Sequence, residues 1–250
     1  MSGLSEQQLV ALQEKAKAVR VGIVESVTAA NSGHPGGSLS IADVMTLLYF
    51  HEMNVNPENT KDLNRDRVVL SKGHAAPAWY SVLAEKGFFP KEELKKLRHI
   101  DSMLQGHPDM KGTPGVDMTT GSLGQGISAA CGMALAGKLD QKDYRVYTIL
   151  GDGELEEGQV WEAAMFAAHY KLNNLTAFID WNGLQIDGEI TKVMSPLPIG
   201  PKFAAFEWNV IEVDGHDFEA LHNAIEAAKA TTDRPTAIVM HTIKGKGVKE

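Results

Sequence analysis

RVYTILGDGELEEGQVWEAAMFAAHYKLNNLTAFIDWNG, residues 145–183, is the stretch that decides the fold. It opens on an apolar, β-rich run (145–150) that breaks at Gly151-Asp152-Gly153. A helical stretch follows over 159–171, then a second apolar run (175–180) that breaks at Trp181-Asn182-Gly183. Two short buried runs joined by a helix form a strand–helix–strand unit, and such strands lie parallel. Toward the C-terminus, past a Gly/Pro-rich excursion, the pattern repeats as a strand at 208–213, a helix over 217–230 and a strand at 236–241. Toward the N-terminus, 67–71 (RVVLS) reads as another buried strand, with a helix through Trp79, Leu83 and Ala84 ending at Gly87. Ser5, with Gln8 as capping-box partner, starts a long helix whose apolar stripe is Leu9, Leu12, Ala16, Val19, Ile23 and Val27 and which stops before Asn31. Ser40 is read as the cap of a helix over 41–50. These elements predict an α/β fold: one domain, 1–250, with a mostly parallel central sheet and helices on both faces.

Composition limits what such a domain can do. Apolar residues make up 43% and charged residues 22% of 250, which suits a globular chain. With 24 Lys+Arg against 32 Asp+Glu the net charge is −8, which argues against nucleic acid or an anionic membrane as a general partner. No apolar run approaches the roughly 18 residues of a membrane span, and the N-terminal stretch has no signal-peptide pattern. A single cysteine, Cys131, suits a reducing compartment, so a cytoplasmic location is expected. It sits in a small-residue helix and reads as core.

In parallel sheets ligands bind at the carboxyl ends of strands. Gly151-Asp152-Gly153 ends one strand, and Trp181-Asn182-Gly183 ends the next. Side by side, Asp152 and Asn182 would offer oxygens to a hard cation, Mg2+ or Ca2+, that bridges phosphate oxygens. Each motif alone is also a common turn; their placement on consecutive strands gives the pair its weight. His34, His74 and His107 each follow a glycine, in loops where an imidazole can exchange protons with a ligand or simply bond a carbonyl. By contrast, His51, His99, His169 and His222 fall in helical stretches and read as solvent-facing or packed. His216 reads as turn and cap chemistry. Residues 100–121 carry no periodicity and form a long loop, read as functional, leading into a helix expected to start near Gly121. There GSLGQG (121–126) could present amides and Leu123 to a ligand, or merely pack closely. Lys244-Gly245-Lys246-Gly247 suits an anionic ligand or a polar tail.

Six stretches together resemble one family: SGHPGGSLS (32–40), LSKGHAAPAWY (70–80), QGHPD with TTGSLGQGIS (105–128), GDGELEEGQVWEA (151–163), WNGLQIDG (181–188) and TIKGKG (242–247). They are similar to the N-terminal thiamin-diphosphate-binding domain of transketolases, above all of split transketolases, in which this domain is a separate subunit. The resemblance implies a transferase of pentose-phosphate-type carbohydrate metabolism, moving a two-carbon ketol unit from a ketose to an aldose, often as their phosphates. It implies Asp152, Asn182 and the Leu184 carbonyl as Mg2+ (or Ca2+) ligands, with Gly153 at the diphosphate. Gly121 and Leu123 would lie beside the cofactor rings, Ile186 and Ile243 would pack on them, and Lys244 would lie nearby. Glu157 would communicate across the dimer. His34, His74 and His107 would line the substrate channel as catalytic residues, His74 also touching the cofactor. The implied partner is a C-terminal transketolase subunit carrying the pyrimidine-binding domain, in a heterotetramer.

Some features depart from the family. Its members continue past KGKG to a Trp-His-Gly motif, whereas this sequence stops at Lys249-Glu250. The pyrimidine-binding and C-terminal domains are likewise absent from it, and Trp181 stands where many members have a polar residue. Alternative readings are a deoxyxylulose-phosphate-synthase-like or dehydrogenase-type enzyme on the same cofactor, a non-catalytic cofactor-binding subunit, or a phosphate-binding α/β domain without thiamin.

Overall fold

In the computed structural model, which describes residues 3–248, the N-terminal helix α1 (Glu6–Ala30) is closed at its start by Ser5. The Ser5 hydroxyl accepts from the Gln8 N–H and the Gln8 side chain accepts from the Ser5 N–H, which satisfies donors the helix cannot. Leu12, Ala16, Val19 and Ile23 are buried, with Leu9 and Val27 packed at the edge. Asn31, in the left-handed region at φ 46°, ends the helix. Met1, Ser2, Lys249 and Glu250 lie outside the described residues.

The helix expected over 41–50 differs. The chain forms α2 (Pro35–Leu39) and α3 (Ala42–Leu47), then widens into a π turn over Leu48–Glu52. Ser40 closes the end of α2 instead of opening a helix: its hydroxyl is drawn to the Gly37 carbonyl and to a buried carboxylate of the sheet, and Ile41 takes the position before α3.

The remaining elements follow the sequence pattern. They are β1 (Arg67–Leu70), α4 (Ala76–Lys86), α5 (Gln125–Leu139), β2 (Val146–Gly151), α6 (Gly158–His169) and β3 (Leu175–Trp181). The Gly/Pro-rich excursion folds as a hairpin, β4 (Leu184–Gln185) with β5 (Gly188–Glu189), then α7 (Ile190–Val193) and α8 (Ile199–Ala205). The strands β6 (Asn209–Asp214) and β7 (Thr236–His241) flank α9 (Phe218–Ala230).

Five strands make one parallel sheet in the order β1-β2-β3-β7-β6. Side chains alternate between its faces. Val68, Tyr147, Phe178 and Ile238 pack against α1, α3, α4 and α9, while Val69, Leu150, Ile179 and Val239 pack against α5, α6 and α8. Each fully buried apolar side chain of this kind is worth about 1.5–3 kcal/mol, so the sheet is a rigid platform. The order reverses after β3: β6 takes the far edge, and β7 returns between it and β3. The open side of β1 is covered by the long loop, whose Asp117 accepts from the Val68 N–H at 2.8 Å while Thr120 donates to the Leu70 carbonyl at 2.7 Å. Among the described residues no helix is long and apolar enough to cross a membrane.

Candidate functional site

At the carboxyl end of the sheet the best-satisfied charge is Asp180, near the end of β3. Its Oδ2 accepts from Lys72 Nζ at 2.6 Å, Ser40 Oγ at 2.8 Å and Asn182 Nδ2 at 2.9 Å, and its Oδ1 accepts from Thr242 Oγ1 at 2.5 Å. Lys72 and Asp180 are 1% and 0% exposed at their side chains. Burial raises the Asp180 pKa, but the Lys72 ammonium and the hydroxyl and amide donors outweigh it and hold the carboxyl below its ordinary value. A buried pair of this kind needs every donor it has. Its effect is to fix four loops around one point: those holding Ser40, Lys72, Asn182 and Thr242.

One strand away, Asp152 is only 2% exposed, yet its partners are two backbone groups, the Gly153 N–H at 2.9 Å and the Gly183 N–H at 2.7 Å. Burial, helped by the negative charge of Asp180, pushes it up to about 6. The register pairs Gly151 with Asp180, so the residues just past these strand ends, Asp152 and Asn182, are neighbours as the motifs predict. With the Asn182 amide nitrogen engaged on Asp180, its Oδ1 turns toward the loop, where it accepts from the Leu184 N–H at 3.1 Å. A buried carboxylate short of positive charge beside an oriented amide oxygen suits a hard cation. Leu184 follows at the start of the β4 hairpin, half-exposed.

Glu154 joins the loop after β2 to its neighbours. It accepts from Ser71 Oγ at 2.5 Å and from the N–H groups of Gly124 at 2.9 Å and Gly151 at 3.1 Å. That anchor also explains why α5 starts at Gln125 rather than near Gly121. Gly124 is turned to φ 81° to present its N–H, and a Cβ there would stand 2.8 Å from Glu157. Gly121, Ser122 and Leu123 therefore remain as a turn at the sheet's end, with Gly121 beside His107. Glu157 is exposed and precedes the first turn of α6.

The three glycine-flanked histidines converge. The rings of His34 and His74 lie 5.2 Å apart. His74 is held near 3 by burial, by Lys72 and by the other two imidazoles. His34 and His107 are also lowered, first by burial and then by the Arg98 guanidinium. All three are neutral at pH 7, so each can both donate to and accept from a hydroxyl. Arg98, which bonds Ser32 Oγ at 2.6 Å, brings positive charge to this cluster.

The segment after β7 reaches over the same end. Lys244 Nζ donates to the Ile186 carbonyl, and Gly245 N–H donates to the Gly36 carbonyl at 3.0 Å. Ile186 and Ile243 present their side chains to solvent, 81% and 57% exposed.

Other candidates lie elsewhere. His222 is packed against Glu52, which also takes the Lys229 ammonium at 2.6 Å, and the His51 ring stands edge-on to His222; both carboxylate oxygens of Glu52 are thus already engaged. His169 ends α6, whereas His99 lies in an irregular segment rather than a helix, a correction that follows from the 3-10 turn over Lys91–Lys96 ending before it. His216 does more than cap a turn: Asp217 caps α9, and the His216 ring bonds to Asp43 and to the backbone of Ile243. Cys131 is buried in the core, its thiol pushed up to about 12 by burial. A cavity of about 390 Å³ beneath the long loop, between Val55, Arg65, Phe88 and Gly115, contains none of these site residues.

Comparison with known proteins gives the family of this chain. Residues 11–250 match the family described as "Transketolase, thiamine diphosphate binding domain". The chain belongs to the transketolase family. It is 50% identical, over 98% of its length and 88% of the relative's, to the 6-deoxy-6-sulfo-D-fructose transketolase subunit SqwG of Clostridium sp. (strain MSTE9). It is 42% identical to an apulose-4-phosphate transketolase subunit of Phocaeicola vulgatus, covering 96% of this chain and 85% of that one. The transketolase from Leishmania mexicana superposes with a TM-score of 0.90 at 34% identity, over 94% of this chain but 37% of that longer one. As a transketolase domain the chain is therefore similar in extent to separate subunits and to little more than a third of a longer chain.

Several residues that organise this transketolase domain carry no distinct signal in the sequence. Asp180 and Lys72 are embedded in an apolar strand and in an SKGH run, and only the fold joins them, 108 positions apart. Glu154 follows the Gly-Asp-Gly motif so closely that it reads as part of the turn. Arg98 has one weak signal, a cation a few residues before His107.

Proposed function

We propose that this chain is the cofactor-binding subunit of a two-chain transketolase, which transfers a two-carbon ketol unit from a ketose to an aldose. The observation that carries the reading is Asp152, a buried carboxylate balanced only by backbone donors, next to an Asn182 amide whose oxygen is turned outward by Asp180. On this reading Asp152, Asn182 and the Leu184 carbonyl hold Mg2+, and Gly153 meets the diphosphate. Gly121, Leu123, Ile186 and Ile243 face the rings, with Lys244 alongside and Glu157 toward the partner. When bound, thiamin diphosphate supplies the carbanion-stabilising centre for cleavage and formation of the carbon–carbon bond.

What the chain's own residues do follows from their electrostatics. His34, His74 and His107, kept neutral, donate to a carbonyl or alkoxide oxygen and accept from sugar hydroxyls. Arg98 and Lys244 give the mouth positive edges that favour a sugar ending in an anion. Relatives named for a sulfonated fructose and for apulose-4-phosphate make anion-terminated ketoses the first donors to try. The exposed Ile186, Ile243 and Leu184 would be covered by a partner subunit bearing the pyrimidine-binding domain, in a heterotetramer. A reducing, cytoplasmic setting fits the single buried thiol.

The test is co-purification of the partner chain, followed by titration of the complex with thiamin diphosphate and Mg2+ and a ketol-transfer assay. Saturable binding that needs the metal, together with transfer from a ketose to an aldose, is expected. Binding without transfer would leave a cofactor-binding subunit of another enzyme type, and decarboxylation of pyruvate would identify that type.

A further inference from the structure

Five consecutive residues after β7 are each held by a different part of the fold. Thr242 donates to Asp180 on β3, Ile243 bonds the turn before α9, Lys244 reaches the β4 hairpin, and Gly245 reaches α2. The Lys246 carbonyl accepts from Arg20 Nε of α1 at 3.1 Å. The stem of Lys244 lies so close on α2 that a Cβ at Gly36 would stand 2.9 Å from its Cγ. This strap carries Ile243 and Lys244 across the candidate site.

The bond at Ile243 has a chemical requirement that the others lack. A backbone N–H can only donate, so the His216 Nε2 that it meets at 2.9 Å must be the bare nitrogen of the ring. The proton then sits on Nδ1, which donates to Asp43 Oδ2 at 2.8 Å. Asp43 is fixed in turn by both arms of Arg20, at 2.9 and 2.6 Å. Its pKa follows: burial raises it, while the His216 and Arg20 hydrogen bonds outweigh that and hold it below the ordinary carboxylate value. Arg20, Asp43 and His216 thus form a partly buried relay in which a carboxylate held in its charged form by Arg20 selects the tautomer that accepts from the strap.

We propose that His216 is a positioning residue of this site, acting through the Ile243 amide to hold the strap in the place where Ile243 and Lys244 meet the cofactor. The inference rests on the cofactor reading above for what the strap does, but the anchor itself is independent of it. The donor–acceptor requirement separates this role from mere packing. Gln at 216 extends its Oε1 toward the place of Nε2 and can accept from Ile243, whereas Asn reaches only as far as Nδ1 and can serve Asp43 alone.

The experiment measures amide hydrogen exchange across 242–247 in the full chain, and thiamin diphosphate binding with Mg2+ in the chain together with any subunit that co-purifies. His216→Ala should speed exchange at the Ile243 amide about tenfold and weaken cofactor binding by about the same factor, since the one side-chain acceptor of that amide is lost. His216→Gln should recover both, and His216→Asn neither. Unchanged exchange in His216→Ala overturns the anchor, as does recovery by Asn equal to that by Gln. Faster exchange with unaltered affinity overturns the coupling to the site. If the wild type binds no thiamin diphosphate, the cofactor reading itself falls, and the exchange results alone then decide whether His216 holds the strap.

Discussion

Asp152 and Asp180 stand at the ends of neighbouring strands, both nearly inaccessible to solvent, and their acidities move in opposite directions. Burial penalises each. Asp180 overcomes it with an ammonium, two hydroxyls and an amide from its own chain, while Asp152 has two backbone N–H groups and a negative neighbour. The difference separates a charge that completes the fold from one that the fold itself leaves uncompensated. Type and burial alone do not distinguish them; the supply of donors does.

The comparison can be broken most directly at Asp180. Asp180→Ala strands a buried ammonium and frees three further donors, so it should cost about 3–5 kcal/mol of stability. Urea unfolding would show this, and a midpoint equal to wild type would mean that Asp180 is not structural. Asp152→Ala removes an unbalanced charge, and its unfolding midpoint should stay near wild type. Its metal-dependent cofactor binding should fall by about 100-fold or more, read by calorimetry on the assembled complex. Loss of the fold in Asp152→Ala would erase the contrast between the two carboxylates.

The histidines carry the same contrast at smaller scale, since His34 is exposed and His74 is largely buried. His34→Ala should lower turnover of the complex by about 100-fold while leaving cofactor affinity almost unaltered; an unchanged kcat would remove it from the chemistry. For His74 the effect is on stability and depends on pH. Its folded pKa, near 3, lies below the ordinary 6.5, so the unfolded chain binds the extra proton between those values. Its contribution is therefore present above about 6.5 and is lost as pH falls toward 3, with a slope of at most about 1.4 kcal/mol per pH unit. His74→Gln should flatten the wild-type decline in urea midpoint between pH 6.5 and 4, and an identical decline in both proteins would contradict the buried neutral imidazole.

The sheet and the loops at its carboxyl end are legible in the sequence because their signals are local. Glycine breaks after 150 and 180, β-rich runs and the Ser5–Gln8 capping box each fall within a few residues. What stays hidden are long-range partners. Ser40 has the chemistry of a helix cap and reads as one, but a carboxylate 140 positions away claims its hydroxyl. Gly121 resembles a helix start, yet Glu154 fixes the beginning of α5 by binding the Gly124 amide. His216 looks like turn punctuation until α3 and the strap meet on its two nitrogens. In each case a polar side chain fits a local role, and tertiary structure supplies a stronger one.

The Lys72–Asp180 pair also bears on how the chain is made. Its two members are 108 positions apart, and the Thr242 hydroxyl that joins them comes 62 positions later still. Contacts of such separation close late, after the local helices and turns. The outward turn of Asn182 depends on Asp180, whose donors are complete only when Thr242, after the last strand, is in place. Cofactor capture would then mark a finished sheet, and thiamin diphosphate supplied during refolding should rescue only molecules whose strands have already paired.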